Sequence, residues 1–220
     1  MNPRKMKIPV PRSTGTPTGS ERKPAVFIPQ ESFDLDLITA APKPREVDKS
    51  ITLINQEEKA SSVFLIRRGL VKLRAISPGG GELILGLRAS GWYAGGASVI
   101  SQTSSIYSVI TLTPCTVSEI PAHLFRSALM DSAKLSRHFL DTVCNELTSI
   151  AAAQTHLMSS SPEERLMQFL RERSPDLRRQ VLDPLPALKQ IELAMLLGMT
   201  PEHLSRLFRR IAKQSQISHL

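Results

Sequence analysis

Hydrophobic and polar positions along this chain change their period three times, and each change predicts a different kind of element. From about Lys49, apolar pieces of strand length recur between turn residues: ITLI, VFLIRRG, LVKLRAI, ELILGLR, YSVITLT and CTVSEI. Many short strands at close spacing predict a small barrel or sandwich. The stretch PGGGE at Pro78 to Glu82 reads as a hairpin turn, because no GKS or GKT follows to make it a phosphate loop. Pro121 to Met130 reads as a short helix, and from about Ser132 to Met158 the pattern is helical for longer. Within it Leu140, Val143, Leu147, Ile150, Gln154 and Leu157 recur at alternating steps of three and four, the seam of a two-stranded coiled coil. So narrow a stripe predicts an identical partner helix. The competing reading is a helix packed on its own barrel, for which Leu135, Phe139 and Ala151 are the candidates.

Ser161-Pro-Glu-Glu164 has the form of a capping box with proline in the first turn, so a new helix is predicted there, with Ser159 to Ser161 as a hinge before it. Ser174 to Pro186 predicts a proline-broken loop. The third pattern is Lys189 to Lys213, KQIELAMLLGMTPEHLSRLFRRIAK, two short helices joined by a turn. Ile191, Leu193, Ala194 and Leu197 supply the inward face of the first, and Gly198 turns the chain. Thr200 caps the second, Pro201 suits its first turn, and Glu202 sits where the helix dipole favours an acid. Leu204, Leu207, Phe208 and Ile211 return inward at helical spacing. Thr200, Glu202, His203, Ser205, Arg206, Arg209 and Arg210 form the candidate DNA-contacting set, the residue mix that base edges and phosphates accept from a helix in the major groove. The alternative is a solvated basic face on an ordinary pair of amphipathic helices.

Composition narrows the classes. The 220 residues carry a formal charge of +8 and a pI near 9.9, which suggests a polyanionic partner, nucleic acid or anionic lipid. Cys115 and Cys144 form no CxxC unit and are too few for a zinc or iron–sulfur site, so no metal and no cofactor is expected. No nucleophile elbow or metal motif argues for an enzyme. Neither an apolar leader nor an apolar run of membrane-spanning length is found, and a cytoplasmic protein is expected. The Pro-, Ser- and Lys/Arg-rich start, taken as 1–47, predicts a disordered basic extension, with a short apolar pattern at Ile28 to Leu37 that docks on the domain after it.

The order of β-rich domain, seam helix, hinge and helix-turn-helix resembles the superfamily of the cyclic-AMP receptor protein and the fumarate–nitrate reductase regulator, from about Lys49 onward. The resemblance is carried by ITLINQEEKASSVFLIRRGLVKL, by Gly91 with Gly95, and by the helix-turn-helix. It implies an α+β fold: a cyclic-nucleotide-binding-like β-roll of jelly-roll type over 48–130, a dimerisation helix over 131–158, and a winged-helix-type helix-turn-helix domain with a truncated wing over 162–220. It further implies a homodimeric transcriptional regulator on a near-palindromic double-stranded DNA site, with RNA polymerase as a further partner. The Glu-x-x-Ser-Arg pattern of the fumarate–nitrate branch falls on Glu202, Ser205 and Arg206, which implies TTGAT-like half-sites. The family's phosphate-binding cassette falls on Gly95, Gly96, Ala97, Ser98 and Ser105, with Gly96 where an acid is expected and Ser105 where an arginine is expected. No Lys or Arg occurs between Arg88 and Arg126, and no Asp or Glu between Glu82 and Glu119. A buried phosphate without a paired cation is costly, so the usual cyclic-AMP binding is not expected. The alternative is a sensor of another small molecule, haem or a redox signal, invoking His123, His138, His156 and Cys115.

Overall fold

The computed structural model describes residues 26–27, 43–171 and 188–217. Nine strands are formed among them: β1 (Val26–Phe27), β2 (Arg45–Val47), β3 (Thr52–Ile54), β4 (Ser62–Arg68), β5 (Val71–Ile76), β6 (Glu82–Arg88), β7 (Tyr93–Ala94), β8 (Ser108–Thr111) and β9 (Cys115–Pro121). They build a five-stranded sheet in the order β1-β6-β5-β8-β3 and a four-stranded sheet in the order β2-β9-β4-β7. The strand-length pieces expected from Lys49 onward are therefore a two-sheet roll. The chain joins that roll earlier than expected: β1 and β2 lie inside 1–47, with β1 parallel to β6 and β2 antiparallel to β9. Ile28 to Leu37 and Ser174 to Pro186 lie outside the described residues.

The packing explains why β4 reads as an unbroken apolar run rather than an alternating one. Phe64 and Ile66 point between the sheets, where they meet Leu73, Val109 and Val117. Val63 and Leu65 point the other way, against Phe125, Leu135 and Phe139 of two helices. A strand covered on both faces has no polar side to show. Each such fully buried side chain contributes about 1.5–3 kcal/mol relative to exposure. The predicted hairpin joins β5 to β6, where Ser77 N–H donates to Gly81 O at 2.9 Å and Gly80 takes a φ of +80°.

Six helices among the described residues follow the same logic: α1 (Gly96–Ser101), α2 (Ala122–Asp131), α3 (Ala133–Ser159), α4 (Pro162–Arg171), α5 (Gln190–Leu196) and α6 (Pro201–Ile217). Ser132 caps α3 by accepting from Leu135 N–H at 3.2 Å. The capping box of α4 forms both bonds, Ser161 N–H to Glu164 Oε2 at 2.8 Å and Glu164 N–H to Ser161 Oγ at 3.3 Å. The serine run before it is not loose. Arg165, itself buried, donates to Ser160 O at 2.6 Å, Leu157 O at 3.3 Å, Leu197 O at 2.7 Å and Gly198 O at 3.1 Å. One guanidinium thus satisfies orphan carbonyls at the end of α3 and the end of α5 together.

Candidate nucleic-acid interface and effector pocket

The helix-turn-helix is built from the small and apolar residues that the periodicity points to. Ala194 is fully buried between Leu166, Leu193, Leu197, Leu204 and Leu207, which lets α5 and α6 cross closely. Gly198 holds a φ of +61°, and a Cβ there would stand 3.0 Å from Leu157 Cδ2. Thr200 Oγ1 accepts from His203 N–H at 3.2 Å, so Thr200 spends its hydroxyl on the cap of α6. One inward assignment needs correction. Ile191 is 47% exposed, and Leu196 takes the buried position instead, against Leu70, Ile84, Leu87 and Leu112 of the roll. A Lys72–Glu192 ion pair ties the same helix to β5.

On the outer side, Glu202, Ser205, Arg206 and Arg209 line one open hollow together with Gln190, Ile191 and Pro201. The Glu202 carboxyl is held below the usual carboxylate range, first by its own backbone N–H, then by the Thr200 hydroxyl and the Arg206 charge. It is an ionised acceptor at neutral pH. Arg210 leaves this hollow: it is ion-paired to Glu163 of α4. His203 is half-buried at the edge. The sequence reading missed Gln190 and Ile191, whose position beside Arg206 depends on the crossing of two helices rather than on either period.

Along α3 two faces separate. Phe139, Thr142 and Ser149 are buried against the chain's own roll, while Leu140, Leu147, Ile150 and Leu157 are exposed, Leu147 at 68%. Gln154 is exposed as well, whereas Val143 is half-buried against the roll's helices. Ala151, a candidate for packing inward, is exposed.

The cassette residues are brought together, but not around a usable space. Gly95, Ala97, Ser98 and Ser105 line a cavity of only about 20 Å³, room for a single water where a ligand pocket needs roughly 300–1,000 Å³. A Cβ on Gly96 would lie 2.8 Å from Phe139 Cε2, so no acidic side chain fits there. Ser105 Oγ is engaged, donating to Tyr107 O at 2.7 Å. The buried Tyr107 hydroxyl has its pKa pushed up to about 12, mainly by burial and then by the Glu146 charge. The cation absent from the cassette stands at its border: Arg88 is 3% exposed and donates through Nε and Nη2 to Glu146 Oε1 at 3.1 and 2.8 Å. Trp92 Nε1 donates to Glu146 Oε2 at 3.0 Å. Its sequence signal was an arginine closing the apolar strand ELILGLR. A second, larger cavity of about 670 Å³ lies between β6, α3, α4 and α5, lined by Leu83, Leu85, Ile106, Leu157, Phe169 and Leu196 among others. No described helix is long and apolar enough to cross a membrane.

A β-roll, a long helix with an apolar outer stripe, and two crossed C-terminal helices with a hollow lined by Arg206 and Arg209 thus follow one another along the chain. Residues 44–132 match the cyclic nucleotide-binding domain family. The protein named "Probable transcriptional regulator flp" of Lacticaseibacillus casei is 26% identical over 181 residues, 82% of this chain and 81% of that one. A regulatory protein from Silicibacter pomeroyi DSS-3, whose name carries an assumed cAMP-binding activity, is 29% identical, with a TM-score of 0.52 over 80% of this chain and 78% of that one. FixK2 from Bradyrhizobium japonicum has the same fold, with a TM-score of 0.65 at 18% identity over 79% of this chain and 85% of its own. Residues 44–132 thus carry a cyclic nucleotide-binding domain, and the relatives that match most of the chain are named as transcriptional regulators and regulatory proteins.

Proposed function

We propose that the chain is a homodimeric, sequence-specific DNA-binding regulator whose β-roll does not bind cyclic AMP in the usual way. The observation that carries this reading is the hollow of α6, where Glu202, Ser205, Arg206 and Arg209 stand together at the surface. Arg206 bonds a guanine through two N–H groups, Glu202 accepts from a cytosine amino group, and Arg209 serves a phosphate, with Thr200, His203 and Ser205 completing the contact set; Arg210, paired to Glu163, would have to exchange that partner to serve a phosphate. The exposed stripe Leu140, Leu147, Ile150 and Leu157, with Gln154 and the half-buried Val143, is the dimer seam. Two-fold symmetry then sets two recognition helices about one helical turn of DNA apart, on a near-palindromic and TTGAT-like site. Such a protein works in the cytoplasm, beside RNA polymerase, and performs no catalysis. Gly95, Gly96, Ala97, Ser98 and Ser105 are the remnant of the nucleotide cassette.

Selection of bound DNA from a random pool, with and without small molecules from cell extract, tests this reading. Enrichment of a symmetric site without extract supports it; no enriched sequence under either condition overturns it. A second reading, a sensor of a different small molecule with DNA binding as its output, is favoured by the cavity of about 670 Å³ and its mostly aliphatic wall. Purified protein with a visible absorption band, or enrichment only with extract, selects that reading.

A further inference from the structure

The inner stripe of α3 contains one residue that its surroundings do not explain as packing. Phe139, Thr142 and Ser149 face the roll and are buried, and Glu146 stands in the same stripe at the same helical spacing. A carboxylate turned toward a sheet is costly unless it is paired and hydrogen-bonded. Glu146 is both, since Arg88 of β6 and the Trp92 indole donate to its two oxygens, and the Arg88 guanidinium also lies 5.7 Å from the Trp92 ring centre. Arg88 is equally costly without it. At 3% exposure it cannot reach water, and its remaining Nη1 is spent on Leu87 O at 2.9 Å.

Glu146 lies beside the cavity of about 20 Å³, which holds no more than a water, while Arg88 stands on the wall of the cavity of about 670 Å³. A slide of α3 by one turn, about 5.4 Å, would strand both charges. The position of α3 is transmitted onward, because Arg165 ties its last carbonyls to Leu197 and Gly198 of the helix-turn-helix. We propose that Glu146 is a built-in anionic clamp: its carboxylate, supplied by the chain itself, holds α3 in register on the sheet and so sets the position of the reading helices. Glu146 is a positioning residue, acting on α6 through α3 and Arg165. The inference rests on the DNA-binding reading above for its consequence, but not for the clamp itself.

The test uses the full chain carrying Glu146→Ala or Glu146→Gln, with two independent readouts. Hydrogen exchange along α3 reads the clamp with no DNA present. Glu146→Ala should exchange faster there than the wild type, and acetate or formate at about 100 mM, which fits the vacated space and pairs with Arg88, should restore protection where chloride does not. Affinity for the selected DNA should fall by at least about tenfold in Glu146→Ala and recover with the same two anions. Glu146→Gln, equal in size but uncharged, should lose affinity and show no acetate response, and it carries the test if the alanine variant does not fold. Wild-type exchange along α3 in both variants, or faster exchange in Glu146→Ala that acetate leaves unchanged, overturns the clamp. Acetate-restored protection in a protein whose wild type selects no DNA would leave the clamp standing and remove the DNA-binding reading.

Discussion

Arg88 and Arg206 carry the same guanidinium into opposite surroundings. Arg88 closes an apolar strand, is shut away from water, and has Glu146 and a main-chain carbonyl as hydrogen-bond acceptors. Arg206 stands on the outer face of α6, exposed, with Glu202 one turn away as its electrostatic neighbour. The first arrangement consumes the charge to fix structure, because an unpaired buried cation is far costlier than a paired one. The second leaves donors in a planar fork available to a partner with two acceptors in register. The guanidinium of the roll is turned inward, and that of α6 stands at the surface.

The largest effect should come from neither arginine but from the proposed dimer seam. In a dimer joined along the apolar stripe of α3, Leu147→Asp sets two ionised carboxylates against each other, each costlier to bury unpaired than a neutral polar group at roughly 2–7 kcal/mol. Sedimentation should then give a monomer or unfolded chain, with DNA affinity lost; an unchanged dimer mass would place the interface elsewhere. A smaller loss is expected at the phosphate-facing end. Arg209→Ala should weaken specific and random DNA alike and reduce the slope of affinity against salt by about one unit. Loss on the specific site alone would make Arg209 a base reader.

The docking of α5 on the roll adds a pH term. Burial pushes the Glu192 carboxyl up, but the Lys72 ammonium and the Lys189 backbone N–H together bring it below its ordinary value of 4.5. A depressed folded value means that this pair stabilises the fold above about pH 4.5 and that the contribution disappears as pH falls through the lower, folded value. Glu192→Gln should therefore lower Tm modestly at pH 7 and flatten the acid limb of the Tm profile; parallel profiles would assign the acid sensitivity to other groups. The smallest expected effect is none at all. Cyclic AMP should leave Tm and DNA affinity unchanged, although a nucleotide at about 100 times its Kd would stabilise by roughly 2.7 kcal/mol. A rise removed by competing nucleotide would contradict the collapsed cassette around Gly96 and Phe139.

The two regions also differ in how far the sequence alone reveals them. The α6 face was legible because a cap, a proline and apolar residues at helical spacing are local signals, and Thr200, Leu204 and Leu207 obey them. Ile191 was misplaced because its period is right while its helix meets two neighbours, one of which is the roll that buries Leu196 instead. The cassette could be read only by what it lacks. That its space is filled by Phe139, and that its missing cation has a counterpart in Arg88, follow from β6 and α3 packing together across 58 residues of sequence, which no local pattern records.

The most direct test of the central claim, that α6 reads DNA, is to select DNA from a random pool with wild-type protein and with Arg206→Ala, in the same salt and without added small molecules. The wild type should enrich paired half-sites about one helical turn apart. Arg206→Ala should bind that site more weakly by roughly 1–3 kcal/mol, keep its affinity for random DNA, and lose preference at one base step in each half-site. Equal losses on specific and random DNA, with the selected sequence unchanged, would contradict it.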